Sequence, residues 1–210
     1  MLKDFIWDFD GTLYDTYPVM TQALLTALHQ FDIRDIDEAA LYRDLKIHSV
    51  RSAVQDFADQ YQLSANELTA TYHQIEHQNQ QAPKPYPGAK VVLEAVVAHG
   101  GRNFLDTHRD RTVYDYLAQN GLADYFSGGV DASQDFPRKP DPSAINAIVH
   151  QYQLTPSTTA MVGDRRLDID AGVNANVQTI YFNVDGYNDA PNATYQVEQL
   201  TDILPLINQA

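Results

Sequence analysis

The sequence contains no cysteine. Disulfides, thiolate zinc sites and thiol nucleophiles are therefore excluded. Basic residues are scarce: 14 Lys and Arg stand against 28 Asp and Glu, giving a formal net charge of -14. Nucleic-acid binders need a basic surface, so no nucleic-acid partner is expected. Anionic membrane surfaces are disfavoured for the same reason. No apolar run approaches the ~20 residues of a membrane-spanning helix. The opening MLKDFIWDFD has acids where a signal peptide would have its apolar stretch, so a cytoplasmic protein is expected. What is present is 44% hydrophobic residue in 210 positions, enough for one packed domain plus a modest insertion.

Short β-rich runs recur at Phe5 to Phe9, Asn103 to Asp106, Phe126 to Val130, Ala160 to Val162 and Thr179 to Phe182. They lack clean alternation, as expected of strands buried on both faces of a parallel sheet. Helical patterns lie between them. Val91, Val92, Ala95 and Val96 precede Gly100, and Val113, Tyr116 and Leu117 precede Gly121. Asp141-Pro142 reads as an N-cap with proline at N1, before Ala144, Ile145 and Ile148. This alternation predicts an α/β fold with right-handed crossovers. From about Tyr17 to Gln81 no strand pattern occurs. Stripes at Val19, Ala23, Leu24, Ala27, Leu28 and Phe31, at Val50 to Tyr61 and at Leu68, Tyr72 and Ile75 predict helices, with a shorter one over Ile36 to Leu45. APKPYPG, from Ala82 to Gly88, then reads as a stiff connector. Residues 1–15 and 83–210 are expected to form the α/β core, and 16–82 an all-helical insertion. The tail from Gly186 onward reads as a loop and a short amphipathic helix.

In a parallel sheet, ligand chemistry belongs at the C-terminal strand ends. Asp8 and Asp10 end the first run, Thr107 the second, Lys139 follows the third, and Asp164 and Asp168 follow the fourth in GDRRLD. The last two, four apart, would share a face of a short helix. Several carboxylates at one edge cannot all ionise without a counter-charge. Mg²⁺ suits them, because it takes a few carboxylates and keeps waters. A metal with one lysine and one hydroxyl suits a phosphoryl group. One carboxylate could then attack phosphorus, and a second could protonate the leaving oxygen and later activate water. Gly11 supplies close backbone approach or a positive φ.

DFDGT (Asp8 to Thr12), Thr107, Lys139 before Pro140 and GDRRLD (Gly163 to Asp168) resemble, in order and spacing, the motifs of the haloacid dehalogenase (HAD) superfamily, across essentially the whole chain. The resemblance implies a Rossmann-like parallel sheet core with an inserted helical cap of the C1 class, as in the phosphoglycolate phosphatase and β-phosphoglucomutase relatives. It implies Asp8 as nucleophile and Asp10 as acid/base, and Thr107 and Lys139 as phosphate ligands. Mg²⁺ would be held by Asp8, the Asp10 carbonyl and Asp164, with Asp168 ordering a metal-bound water. The second aspartate favours phosphate-ester chemistry over dehalogenation, and Thr12 leans towards hydrolysis over the mutase branch. Many members have asparagine where His108 stands, so His108 could bind phosphate and His108 or Arg109 could touch substrate. The implied activity is Mg²⁺-dependent hydrolysis of a small phosphomonoester by a monomer or weak homodimer, with phosphomutase as the alternative.

Other readings compete for single motifs. DFDG could be an Asx-capped turn, and Thr107 could cap the next helix. Lys46, His48 and Arg51, near the start of a predicted helix, could read a second anionic group of the substrate or be ordinary surface charge. His29, His99 and His150 fall at helix ends. HQIEH (His73 to His77) matches an inverted zinc-peptidase pattern, without an evident third ligand. A receiver-like phospho-acceptor module combines similar residues, but keeps its acceptor aspartate on a later strand and has no helical cap. An inactive HAD-like binding protein would lack a motif residue, and none is missing.

Overall fold

The computed structural model describes residues 1–79 and 83–207. The expected insertion end at residue 82, the first residue of the connector and the last residues of the tail lie outside that range. The chain divides into two compact units, Met1–Tyr14 with Lys84–Ala210, and Asp15–Pro83.

The first unit is built on a six-stranded parallel sheet: β1 (Asp4–Trp7), β2 (Arg102–Asp106), β3 (Phe126–Val130), β4 (Thr159–Gly163), β5 (Gln178–Phe182) and β6 (Tyr195–Val197). Their order is β3-β2-β1-β4-β5-β6, every pair parallel. The order reverses beside β1, so the C-terminal end of β1 is the crevice where such sheets bind ligands.

The period of two sorts side chains between the faces. Phe5 and Trp7 of β1, Leu105 of β2, and Ala160 and Val162 of β4 share one core with α5 (Ala89–Ala98) and α6 (Thr112–Gln119). Ile6, Phe104 and Met161, one residue out of phase, share the other with α7 (Ser143–Gln151) and α8 (Arg166–Asn174). Both faces are thus covered for the central strands. β3 is the correction: Ser127 is exposed and Phe126, Gly128 and Gly129 are only partly buried, because β3 is an edge strand. The tail is also corrected. It supplies β6 before a 3-10 helix, Leu200–Leu206, whose Leu200 and Ile203 join the first core. The Asp141 carboxylate accepts from the Ser143 amide at 2.9 Å, so the cap falls one residue later than predicted, with Pro142 at the N-cap of α7.

The second unit holds α1 (Tyr17–Gln30), α2 (Glu38–Ile47), α3 (Val50–Tyr61) and α4 (Ala65–Asn79). Leu24 and Leu28 of α1, Leu41 and Leu45 of α2, Val54 of α3, and Leu68 and Tyr72 of α4 form its core. Asp37 caps α2 by accepting from the Ala39 and Ala40 amides, and Ser49 caps α3 by accepting from Ser52. Among the described residues, no helix is long and apolar enough to cross a membrane.

Candidate active site

Asp8 follows β1 directly, and its amide donates to the Val162 carbonyl at 2.9 Å. The predicted strand ends short of Phe9, because the chain then turns. The Leu13 and Tyr14 amides donate to the Phe9 carbonyl, and the Gly11 amide donates to the Tyr14 carbonyl at 2.8 Å. Gly11 has φ 76°, a backbone state that favours glycine. The turn sends the two aspartates to different partners.

Asp8 goes inward. Lys139 Nζ donates to Asp8 Oδ1 at 2.7 Å, to Asp168 Oδ1 at 2.8 Å and to the Asp106 carbonyl at 2.9 Å. An ammonium has three N–H donors, and all three are used. The Asp106 carboxylate lies 3.6 Å from the same nitrogen. Lys139, Asp8, Asp106 and Asp168 are all buried. Burial alone would lower the lysine pKa, but Asp106, Asp168 and Asp8 raise it above the ordinary value, so Lys139 is charged. Burial pushes Asp8 well above the carboxylate range, with Lys139 opposing and Asp168 adding to the rise. Burial also raises Asp106, against Lys139. Asp168 moves the other way: Lys139 and Arg165 outweigh its burial and hold it below the usual value. Lys139, with Arg165 3.8 Å from Asp168, therefore faces three buried acids, more acids than cations in a dry place.

Asp164 and Asp168 are not on one helix face, as their spacing predicts. Asp164 precedes α8 and Asp168 lies in its first turn. They still converge: Asp8, Asp164 and Asp168 each offer an oxygen, all within 4.8 Å of one another. Gly163 makes room, since a Cβ there would lie 2.2 Å from the Asp168 Cβ. The Thr12 hydroxyl donates to Asp164 Oδ1 at 2.9 Å. Asp8 Oδ2 is buried and accepts no hydrogen bond among the described residues. An orphaned carboxylate oxygen, hard donors and surplus negative charge fit a small divalent cation such as Mg²⁺.

Asp10 goes to Arg109, whose Nε donates to Asp10 Oδ1 at 2.8 Å and Oδ2 at 2.9 Å. Thr107 is buried, and its hydroxyl accepts from the Arg109 amide at 3.1 Å. It does not cap a helix, since α6 begins at Thr112. His108 is partly buried. Burial, and then Lys139, Arg138 and Arg165, lower its pKa to about 3, so its imidazole is neutral and offers one N–H.

Two residues were missed from sequence. In the sequence Asp106 reads as the last residue of a β-rich run, and Thr12 as the end of DFDGT and a branch marker, with no partner implied for either. The available signal was an acid at the strand end directly before Thr107.

The candidates in the second unit are dispersed. Lys46 lies in the last turn of α2, His48 is its C-cap and Arg51 lies in the first turn of α3, so the three flank the start of α3. Lys46 is buried, with Nζ 4.5 Å from the Tyr17 ring centroid, so it is not surface charge. His48 lies 3.9 Å from Asp44, and Arg51 is exposed. In HQIEH, the His73 ring lies 3.6 Å from Glu76. His29 is in the last turn of α1 and His150 in that of α7, and His99 caps α5.

Known proteins resemble this chain over most of its length. The family model "Haloacid dehalogenase-like hydrolase" matches residues 5–182. A phosphoglycolate phosphatase of Vibrio vulnificus (strain YJ016) is 28% identical, over 98% of this chain and 96% of its own. Another, of Vibrio cholerae, is 30% identical over 83% of this chain and 81% of its own. A solved hydrolase from Streptococcus pneumoniae superposes with a TM-score of 0.62 at 32% identity, over 85% of this chain and 91% of its own. The family match over residues 5–182 and the 30% identical relative show that the chain belongs to the haloacid dehalogenase-like hydrolase family.

Proposed function

We propose that this chain is a Mg²⁺-dependent phosphomonoester hydrolase acting on a small phosphorylated metabolite of the phosphoglycolate or sugar-phosphate type. One observation carries the reading: Lys139 bridges Asp8 and Asp168, while Asp8 keeps a buried oxygen that accepts no hydrogen bond among the described residues. That is a nucleophile beside a fixed cation, in a charge environment suited to a second cation. Two relatives of similar length are named phosphoglycolate phosphatase, and a third is named a pyrophosphatase.

In this mechanism an Asp8 oxygen attacks phosphorus, and the bond from phosphorus to the ester oxygen breaks. Asp10 gives its proton to the departing oxygen. Water then attacks the aspartyl phosphate and loses a proton to Asp10. The bond to Asp8 breaks, freeing inorganic phosphate and restoring both acids. Lys139 gives up donors to the phosphoryl oxygens, and Thr107 and the neutral His108 offer hydrogen bonds to them. Mg²⁺, held by Asp8, Asp164 and the Asp10 carbonyl with Asp168 beside it, would neutralise charge on the phosphoryl oxygens. The helical unit is proposed as the cap, with Lys46, His48 and Arg51 as candidates for reading the rest of the substrate.

The test is phosphate release from phosphoglycolate, sugar phosphates, nucleotides and p-nitrophenyl phosphate, with and without Mg²⁺. Release that requires Mg²⁺ is expected. No release from any of them would count against the reading.

A further inference from the structure

Arg109 is anchored at both ends. Its amide donates to the Thr107 hydroxyl, and its carbonyl accepts from the Ala132 amide at 2.8 Å. This ties the loop after β2 to the loop after β3. The guanidinium carbon lies 5.8 Å from the Phe9 ring centroid. Phe9 itself is stacked on Tyr14 at 4.3 Å, and the Tyr14 hydroxyl donates to the Tyr116 carbonyl at 3.1 Å. At the far end, Nε reaches both oxygens of Asp10. The two side chains are only 14% and 19% exposed. A long side chain so restrained can fix the orientation of the group it contacts, and a misplacement of about 1 Å in a reacting group can cost ~10²-fold in rate.

We infer that Arg109 is a positioning residue for the reaction. Its guanidinium sets the orientation of the Asp10 carboxylate towards the leaving oxygen, and it acts on the substrate through Asp10. The inference rests on the proposed acid/base role of Asp10. It differs from a role for Arg109 as a direct ligand of the substrate's anionic groups.

Leaving-group chemistry separates the two. An alkoxide needs a proton to depart, whereas a nitrophenolate departs without one. A residue that works through Asp10 therefore matters for alkyl esters and little for aryl esters. The experiment measures kcat/KM for p-nitrophenyl phosphate, glycerol phosphate and phosphoglycolate in wild type, Asp10→Asn, Arg109→Gln and the double variant, after thermal melting has shown each to be folded. Asp10→Asn is expected to cost ~10²-fold or more on the alkyl esters. Arg109→Gln is expected to cost at least about tenfold more on both alkyl esters than on the aryl ester, and to add less than about twofold once Asp10 is asparagine. Arg109→Lys keeps the charge but loses the planar fork. It is expected to restore only part of the alkyl activity, and it carries the same comparison where Arg109→Gln does not fold.

Equal losses on all three substrates would overturn the inference, as would a loss confined to carboxylate-bearing phosphoglycolate, full rescue by lysine, or an undiminished Arg109 effect in the Asp10→Asn background. If Asp10→Asn itself showed no preference between alkyl and aryl esters, the acid/base reading would fail first, and the inference with it.

Discussion

Asp8 and Asp10 leave the same strand end, one residue apart, and finish in opposite electrostatic situations. Asp8 belongs to a cluster in which one lysine meets three buried carboxylates. Asp10 belongs to a pair in which one carboxylate meets one guanidinium. The cluster holds more acids than cations, whereas Asp10 lies against a guanidinium. The difference teaches how two acids that repel on paper share a site: Gly11 turns the chain, and each acid finds its own cation. It also bears on where the proposed Mg²⁺ would be held. Surplus negative charge lies around Asp8, Asp164 and Asp168, not around Asp10.

The comparison can be broken most severely at Asp8. Asp8→Asn replaces the attacking oxygen with an amide and is expected to lower kcat by about 10³-fold or more. Steady-state phosphate release checks it, and near-normal turnover would refute the assignment. Lys139→Met removes the cation shared by Asp8, Asp106 and Asp168 and leaves Arg165 beside Asp168. It leaves buried carboxylates uncompensated, at a cost on the order of 3–5 kcal/mol, measurable by denaturant unfolding without Mg²⁺. A matching loss for Arg109→Gln would erase the distinction between cluster and pair.

The metal provides a gentler probe. Mg²⁺ at a hundred times its Kd should stabilise wild type by about 2.7 kcal/mol, and thermal melting should show that gain shrinking in Asp164→Asn. An undiminished gain would place the ion elsewhere. Thr12→Val removes the hydroxyl that donates to Asp164 and should weaken Mg²⁺ binding by about tenfold, read by titrating activity against Mg²⁺. The smallest effect is expected from Asp106→Asn. It removes one carboxylate near Lys139 while keeping its shape, so product phosphate should inhibit several-fold more strongly. Weaker inhibition would mean that Asp106 is needed to hold the lysine.

Much of this was legible in the sequence. Five of the six strands followed from short apolar runs bounded by turn signals, and the helical stretch after the first from hydrophobic period, because both are local signals. β6 was not legible: its three residues, Tyr195–Val197, lie in a polar tail and pair only through β5. Asp8, Lys139, Asp164 and Asp168 were legible as a group, because chain order along a parallel sheet fixes which strand ends meet. Their partners were not. That Lys139 spends its three donors on Asp8, Asp168 and the Asp106 carbonyl, and that Arg109 takes Asp10, depends on side-chain reach across loops with no periodic signal. Lys46 shows the same limit, since only packing puts its ammonium over the Tyr17 ring.

The central claim is that Asp8 is the group that takes the phosphoryl. The most direct test uses Asp10→Asn enzyme, in which water should be activated poorly. It is mixed with p-nitrophenyl phosphate and Mg²⁺, quenched in acid, digested and analysed by mass spectrometry. The account predicts an acid-stable, hydroxylamine-sensitive phosphoryl adduct on the peptide carrying Asp8, lost in the Asp8→Asn/Asp10→Asn double variant. An adduct on a different residue, or its persistence when Asp8 is asparagine, would contradict it.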